Sequence, residues 1–252
     1  MPLFPGESTR TTHGQRGSLP TGCRMSGHTT VLLFDIDGTL MVSRGRGLRA
    51  MHRTFQDVFA LAPRTAEIAP HGKTDPILFE ELARAYRISD ATLHARLDRV
   101  RIVYATELER LLREPDCIEL KPGIPALLER LQNCNVQLGL VSGNLARTAW
   151  LKLEAAGLAR FFVGGAFGSD ARDRHGMVGH ALQRFGVGAP RDAWVIGDTP
   201  DDVAAGRSRG TRTLAVATGR HDVTTLRRCE PDVVLEDFAD VDRVVDILCR
   251  PR

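Results

Sequence analysis

The chain has 252 residues, 42% of them hydrophobic, with 34 Lys and Arg against 31 Asp and Glu. That length and apolar content support one large domain, or one domain with an insertion, and exclude a disordered or fibrous protein. A net charge of +3 with no block of like charges argues against nucleic acid or an anionic membrane as partner. The five cysteines (Cys23, Cys117, Cys134, Cys229, Cys249) show no C-x-x-C spacing, which argues against a disulfide framework or zinc site and fits a reducing, cytoplasmic setting.

Residues 1–28 are rich in Gly, Pro, Ser, Thr and Arg, lack the apolar centre of a signal peptide, and read as a disordered N-terminal extension. A first strand is expected over 31–34, running into Asp35-Ile36-Asp37-Gly38-Thr39. The interval that follows contains no convincing strand and three helical patterns. These are Leu48, Met51, Phe55, Val58 and Phe59; then Ile77, Leu78, Leu82 and Ala85 behind an Asp75-Pro76 start; then Leu93, Leu97, Val100, Tyr104, Leu108 and Leu111 in one unbroken series. A helical insertion is the reading.

Beyond Glu119 strands and helices alternate. Strands are expected over 136–141, 162–167, 193–196, 213–217 and 232–235; one helix follows Asn144 and stops at Gly157, and another spans 177–185 and stops at Gly186. This is the pattern of an α/β protein with a Rossmann-like parallel sheet flanked by helices. The core domain is assigned to 29–43 and 120–252, and the inserted helical domain to 44–119. No run of 18 apolar residues is present for a membrane span.

In a parallel sheet the strand ends meet along one edge, where sites are expected. Three of them carry chemistry: Asp35 to Thr39, then Ser142-Gly143-Asn144, then Gly197-Asp198-Thr199-Pro200-Asp201-Asp202. Clustered carboxylates suit Mg²⁺, and a hydroxyl with backbone N–H groups at a helix start suits a phosphate. Together they describe a metal-assisted phosphoryl-transfer site. No G-x-G-x-x-G follows the first strand, which disfavours a dinucleotide-binding domain.

"DIDGTL", "GLVSGN" and "VIGDTPDDV" resemble, in order, the first, second and fourth motifs of the haloacid dehalogenase superfamily, and within it the phosphoglycolate-phosphatase-like small-molecule phosphatases with a helical cap. The resemblance extends from Thr30 to about Leu248. It implies Asp35 as nucleophile, forming an aspartyl phosphate, and Asp37 as proton donor and acceptor whose backbone carbonyl also binds the metal. It implies Asp35, Asp37, Asp198 and Asp202 (or Asp201) around Mg²⁺, and Ser142 with the N–H of Gly143 on the phosphate. The family's usual third-motif lysine has no counterpart in "GSDARDRHGMVGHAL"; Arg174 is the expected replacement, with Arg172 two positions away as the alternative. The insertion resembles the family's cap, and "PHGKTDP" (70–76) its specificity loop, where Lys73 is the candidate to meet an anionic substrate.

The expected function is Mg²⁺-dependent hydrolysis of a small phosphorylated metabolite. A phosphomutase shares these motifs, and a non-catalytic metal-dependent binding protein is the alternative of a different class. Dehalogenation is disfavoured because the relatives that perform it generally lack the second acid, Asp37. The substrate and the oligomeric state are not legible.

Overall fold

The computed structural model of the chain describes residues 29–63, 65–69 and 72–250. The expected extension, 1–28, lies outside them together with Cys23, as do Pro70 and His71 of the polar loop. The apolar run TVLLF forms β1 (Thr30–Phe34). After a tight turn come β2 (Met41–Val42) and four helices, α1 (Arg46–Phe59), α2 (Asp75–Ala85), α3 (Asp90–Ala95) and α4 (Leu97–Leu111). The chain returns through β3 (Glu119–Leu120), α5 (Ile124–Leu131), β4 (Val136–Ser142), α6 (Ala146–Ala155), β5 (Gly165–Phe167) and α7 (Arg174–Arg184). It finishes with β6 (Ala193–Gly197), α8 (Pro200–Ser208), β7 (Arg212–Val216), α9 (Val223–Arg227), β8 (Val233–Leu235) and α10 (Val241–Cys249).

Six strands pair in parallel in the order β5-β4-β1-β6-β7-β8. Helices cover both faces, so β1 is apolar on both sides, as parallel strands are. Leu32 and Phe34 join Leu127, Leu128, Leu153 and Leu248 in one core layer, while Val31 and Leu33 meet Met177, Val178 and Ala181 in the other. Because β1 lies between β4 and β6, the three motif-bearing strand ends are neighbours along the carboxyl edge.

The helices between β2 and β3 pack around their own centre. Phe55, Phe79 and Tyr104 are fully or almost fully buried, with the rings of Phe79 and Tyr104 edge to face at 5.5 Å. Burying each such ring contributes roughly 1.5–3 kcal/mol. Leu145, at the head of α6, belongs to this cluster and α4 packs on α6, which seats the helical layer over the carboxyl end of β4.

Three local features differ from the sequence expectation. The unbroken apolar series from Leu93 to Leu111 is two helices: the backbone turns out of helical geometry at Arg96 (φ −116°, ψ 9°), whose side chain donates to the Val58 carbonyl at 2.7 Å. A single-residue break keeps the flanking leucines on one face, so periodicity does not register it. The ribbon formed by β2 and β3, with Met41 opposite Leu120, is two residues long and too short to show alternation. The strand expected over 162–167 is regular only from Gly165, because a 3₁₀ turn over Ala159–Phe161 occupies the approach.

Gly123, at the start of α5, has φ +80°, and a Cβ there would lie 1.9 Å from the carbonyl oxygen of Phe238. Neither backbone can yield. Gly123→Ala is expected to cost more than ~1 kcal/mol, read as a lowered Tm with unchanged far-UV circular dichroism; an unchanged Tm would show that α5 and the 238–239 segment move apart freely.

Candidate active site

Each strand end delivers its polar groups by a local device. Beyond Phe34, Asp35 continues the sheet direction, its N–H donating to the Ile196 carbonyl at 2.9 Å, which holds the carboxylate over the β1–β6 seam. After β6, Thr199 and Asp202 form a capping box at the start of α8, with the Thr199 hydroxyl 2.6 Å from Asp202 Oδ2. Asp202 Oδ1 is left buried without a hydrogen-bond partner. Asp173 caps α7 through the Gly176 N–H, which turns the next residue, Arg174, inward.

The result is a buried ionic cluster. Arg174 is 8% exposed and donates from Nη1 to Asp35 Oδ1 at 2.7 Å and to the Val141 carbonyl at 2.8 Å. Its Nε stands 3.1 Å from Asp202 Oδ1, an ion pair without hydrogen-bond alignment. Asp198 receives the Thr39 hydroxyl at 2.9 Å. Ligand oxygens of Asp35, Asp198 and Asp202 all lie within 4.8 Å of one another. Burial pushes both Asp35 and Asp198 well above the usual carboxylate range, with Asp202 adding to it at both and Asp198 adding to it at Asp35; Arg174 opposes the shift and does not cancel it.

This arrangement tests whether Mg²⁺ fits. Three buried carboxylates share one guanidinium, a deficit of two positive charges in a site made only of hard oxygen donors. A divalent cation of the Mg²⁺ type supplies that charge and prefers those donors. Asp37, which the sequence places among the metal ligands through its carbonyl, turns its side chain elsewhere.

The Asp37 carboxylate is clamped by Lys152 from α6, at 2.8 and 2.6 Å, and accepts from Asn144 Nδ2 at 2.7 Å. Lys152 Nζ also donates to Asn144 Oδ1 at 2.7 Å, and Asn144 donates to Ser142 Oγ at 2.8 Å. Burial works to raise the carboxyl of Asp37, but Lys152 and Asn144 outweigh it and hold the group below its ordinary range. Sequence reading missed Lys152 and gave Asn144 no role. The signal for Lys152 was present: it shares the inward stripe of α6 with Thr148, Ala149 and Leu153, where an unpaired charge would not be tolerated.

The helical layer closes on this edge through its own polar residues. Asp75, at the first turn of α2, is buried and accepts the Leu145 N–H at 2.8 Å and the Thr148 hydroxyl at 3.1 Å, while the Asp75 N–H donates to the Gly143 carbonyl at 2.8 Å. Leu145 offers α6 no side-chain cap, so a carboxylate from another element performs that task. A Cβ on Gly143 would lie 2.5 Å from the Lys73 carbonyl, so glycine there permits the approach of the 73–74 segment.

The remaining expected residues separate clearly. Ser142 is buried at the end of β4, and its hydroxyl accepts from Asn144; Gly143 follows it in the crevice wall. Arg172 is an exposed residue paired with Glu80 at 2.9 Å, so Arg174 alone of the two arginines enters the site. Asp201 is exposed on the first turn of α8, and Asp202 is the one turned inward. Lys73 lines the cavity but pairs with Glu81 at 2.7 Å. The whole forms a cavity of about 570 Å³, substrate-sized for a small molecule.

The sequence model of the haloacid dehalogenase-like hydrolases matches residues 29–210. A pyrophosphatase PpaX from Oceanobacillus iheyensis is 28% identical over 218 residues, 85% of this chain and 95% of that protein. A phosphoglycolate phosphatase from Synechococcus elongatus is 28% identical over 223 residues, 87% and 98% of the two chains. Among solved structures, CbbY from Rhodobacter sphaeroides in complex with phosphate superposes with a TM-score of 0.66 at 19% identity, covering 84% of this chain and 96% of that one, a likeness of fold.

Two predictions follow from the charges. Asp198→Asn removes one of three carboxylates that share a single guanidinium, so near pH 8 the metal-free variant is expected to melt above the metal-free wild type, and Mg²⁺ should raise the Tm of the wild type alone; an equal Mg²⁺ shift in both would dismiss the cluster as a cation site. For Asp75, burial pushes the carboxyl from 3.8 up to about 6. Folding thus favours its protonated form, and the stability this group contributes is complete below about pH 4 and is lost as pH rises through about 6. The Tm advantage of wild type over Asp75→Asn should therefore shrink between about pH 4 and about pH 7; a difference independent of pH would contradict the burial of that carboxylate.

Proposed function

The chain belongs to the haloacid dehalogenase-like hydrolase family, and on that premise we propose that it is a Mg²⁺-dependent phosphatase that cleaves a small phosphate monoester through an aspartyl phosphate. The observation that carries this reading is the buried group of Asp35, Asp198 and Asp202 around Arg174, beside a separately held Asp37. A pure binding site has no need of two aspartates, two residues apart, held in opposite electrostatic environments.

In this reading Arg174 holds Asp35 by one oxygen and leaves the other to attack phosphorus. The P–O bond to the leaving group breaks as the Asp35–phosphorus bond forms, and the leaving oxygen takes a proton from Asp37. In the second half Asp37, as carboxylate, takes a proton from water, whose oxygen attacks the same phosphorus and releases phosphate and free Asp35. The clamp by Lys152 favours the carboxylate form of Asp37, which is the form the second half needs. Protonation in the first half requires that the clamp loosen as the ester enters.

In this reading Ser142 and the N–H of Gly143 bind phosphoryl oxygens and Arg174 supplies charge, and it is supported by all three lining one cavity. Mg²⁺ held by Asp35, Asp198, Asp202 and the Asp37 carbonyl would supply further positive charge where the phosphoryl oxygens lie. The helical layer, residues 44–119, acts as a cap that excludes water from the first half-reaction. A pyrophosphatase and a phosphoglycolate phosphatase among the relatives support a small phosphorylated substrate.

The direct test is phosphate release from a panel of small esters, with Mg²⁺ or with chelator. Asp35→Asn is expected to fold and to lose about 1,000-fold or more in turnover, and Asp37→Asn to be impaired in kcat while still binding substrate. Arg172→Ala should retain activity and Arg174→Ala should lose it. Multiple turnover by Asp35→Asn at the wild-type rate would end the nucleophile assignment.

A further inference from the structure

We propose that the cavity contains, beside the phosphoryl site, a subsite for a second anionic group on the substrate, formed by Lys121 and Arg220. This deepens the phosphatase reading and takes its position from that site. Six cationic side chains line the cavity. Four are already neutralised: Arg44 by Glu119 at 3.0 Å, Lys73 by Glu81 at 2.7 Å, Lys152 by Asp37 at 2.6 Å and Arg174 by Asp35 at 2.7 Å. The side chains of Lys121 and Arg220 have no hydrogen-bond or ion-pair partner among the described residues.

The two come from distant parts of the chain and are fixed to the same turn. The backbone N–H of Lys121, just past β3, donates to the Leu40 carbonyl at 3.0 Å. Two residues before Arg220, the Thr218 hydroxyl donates to the Gly38 carbonyl at 2.7 Å. The turn over 38–40 that follows Asp37 therefore carries one cation from the hinge of the helical layer and another from the loop after β7. They reach the cavity from elements other than β4, which ends at Ser142 and is followed by Gly143.

A half-buried ammonium with no partner has lost hydration without compensation, and an anion in the cavity restores it. Lys121 supplies a point charge and Arg220, exposed at the mouth, a planar fork suited to two oxygens of a carboxylate or phosphate. The substrate class is thus a small phosphate ester, or phosphoanhydride, bearing a second carboxylate or phosphate.

The test compares phosphoglycolate and inorganic pyrophosphate with the neutral 2-hydroxyethyl phosphate, at saturating Mg²⁺, for wild type, Lys121→Met, Arg220→Met and the double variant. Each single substitution is expected to reduce kcat/KM for the two anion-bearing substrates, mainly through KM, by about tenfold to 100-fold more than for the neutral ester, the range of one charge-assisted hydrogen bond. A loss on one of the two substrates alone identifies the second group as carboxylate or as phosphate. Equal losses on all three substrates would overturn the subsite.

Calorimetric binding of phosphonoacetate against 2-hydroxyethylphosphonate reads the same subsite without turnover. Wild type should prefer phosphonoacetate and the double variant should not; no preference in wild type, or a preference the double variant keeps, would overturn the proposal. If no ester is hydrolysed, the phosphatase reading falls, and the binding comparison still decides the subsite.

Discussion

Three carboxylates and one guanidinium occupy a space at the sheet edge from which water is largely excluded, and most of the site's geometry follows from that imbalance. Arg174 is held by Asp35 from the end of β1, by the Val141 carbonyl from β4 and by the Asp202 oxygen at the head of α8. One side chain thus ties three elements of the carboxyl edge. Its charge is insufficient for the carboxylates it touches, and the unmet remainder makes the cluster receptive to a divalent cation and to the phosphate such a cation accompanies. A buried charge imbalance of this kind is a cost in stability that apolar packing would not incur.

The second acid is kept apart from this cluster by a different partner. Asp37 lies two residues from Asp35, yet its carboxylate is taken by Lys152 and Asn144 and is pulled in the opposite direction on its titration scale. Two aspartates that read alike in the sequence therefore occupy opposite electrostatic environments, which is the condition for giving them different chemical roles. The helix that carries Lys152 begins without a cap of its own and borrows Asp75 from the helical layer. Seating of that layer and the position of the Asp37 clamp are consequently one mechanical unit, joined through α6.

The stretch that resembles the family's third motif departs from it in residue type. The stretch GSDARDRHG offers two arginines and no lysine. The structure distinguishes them by a helix boundary: Asp173 caps α7, so Arg174 falls on the first inward position, whereas Arg172 lies before the helix and meets Glu80 at the surface. A guanidinium with several donors contacts a carboxylate, a backbone carbonyl and a second carboxylate at once, a set of contacts that suits Arg better than a point charge.

What the sequence determined by itself was local and periodic. The apolar run before Asp35 specified a strand buried on both faces, the alternation after Glu119 specified a parallel sheet, and short signatures at three strand ends named Asp35, Ser142, Gly143, Asp198 and Asp202, because strand ends in such a sheet must converge. The helices between β2 and β3 announced themselves through apolar spacing, though a one-residue break at Arg96 and the two-residue ribbon at Met41 and Leu120 left no periodic trace. The tertiary structure alone decided the partners. Lys152 reads as an ordinary helical lysine until α6 is docked against Asp37; Asp75 reads as the start of its own helix until it meets Leu145; Lys73 reads as a free cation until Glu81 is found beside it. Those contacts join residues up to 115 positions apart, and pairing at that range depends on how packed elements face one another, which no local pattern encodes.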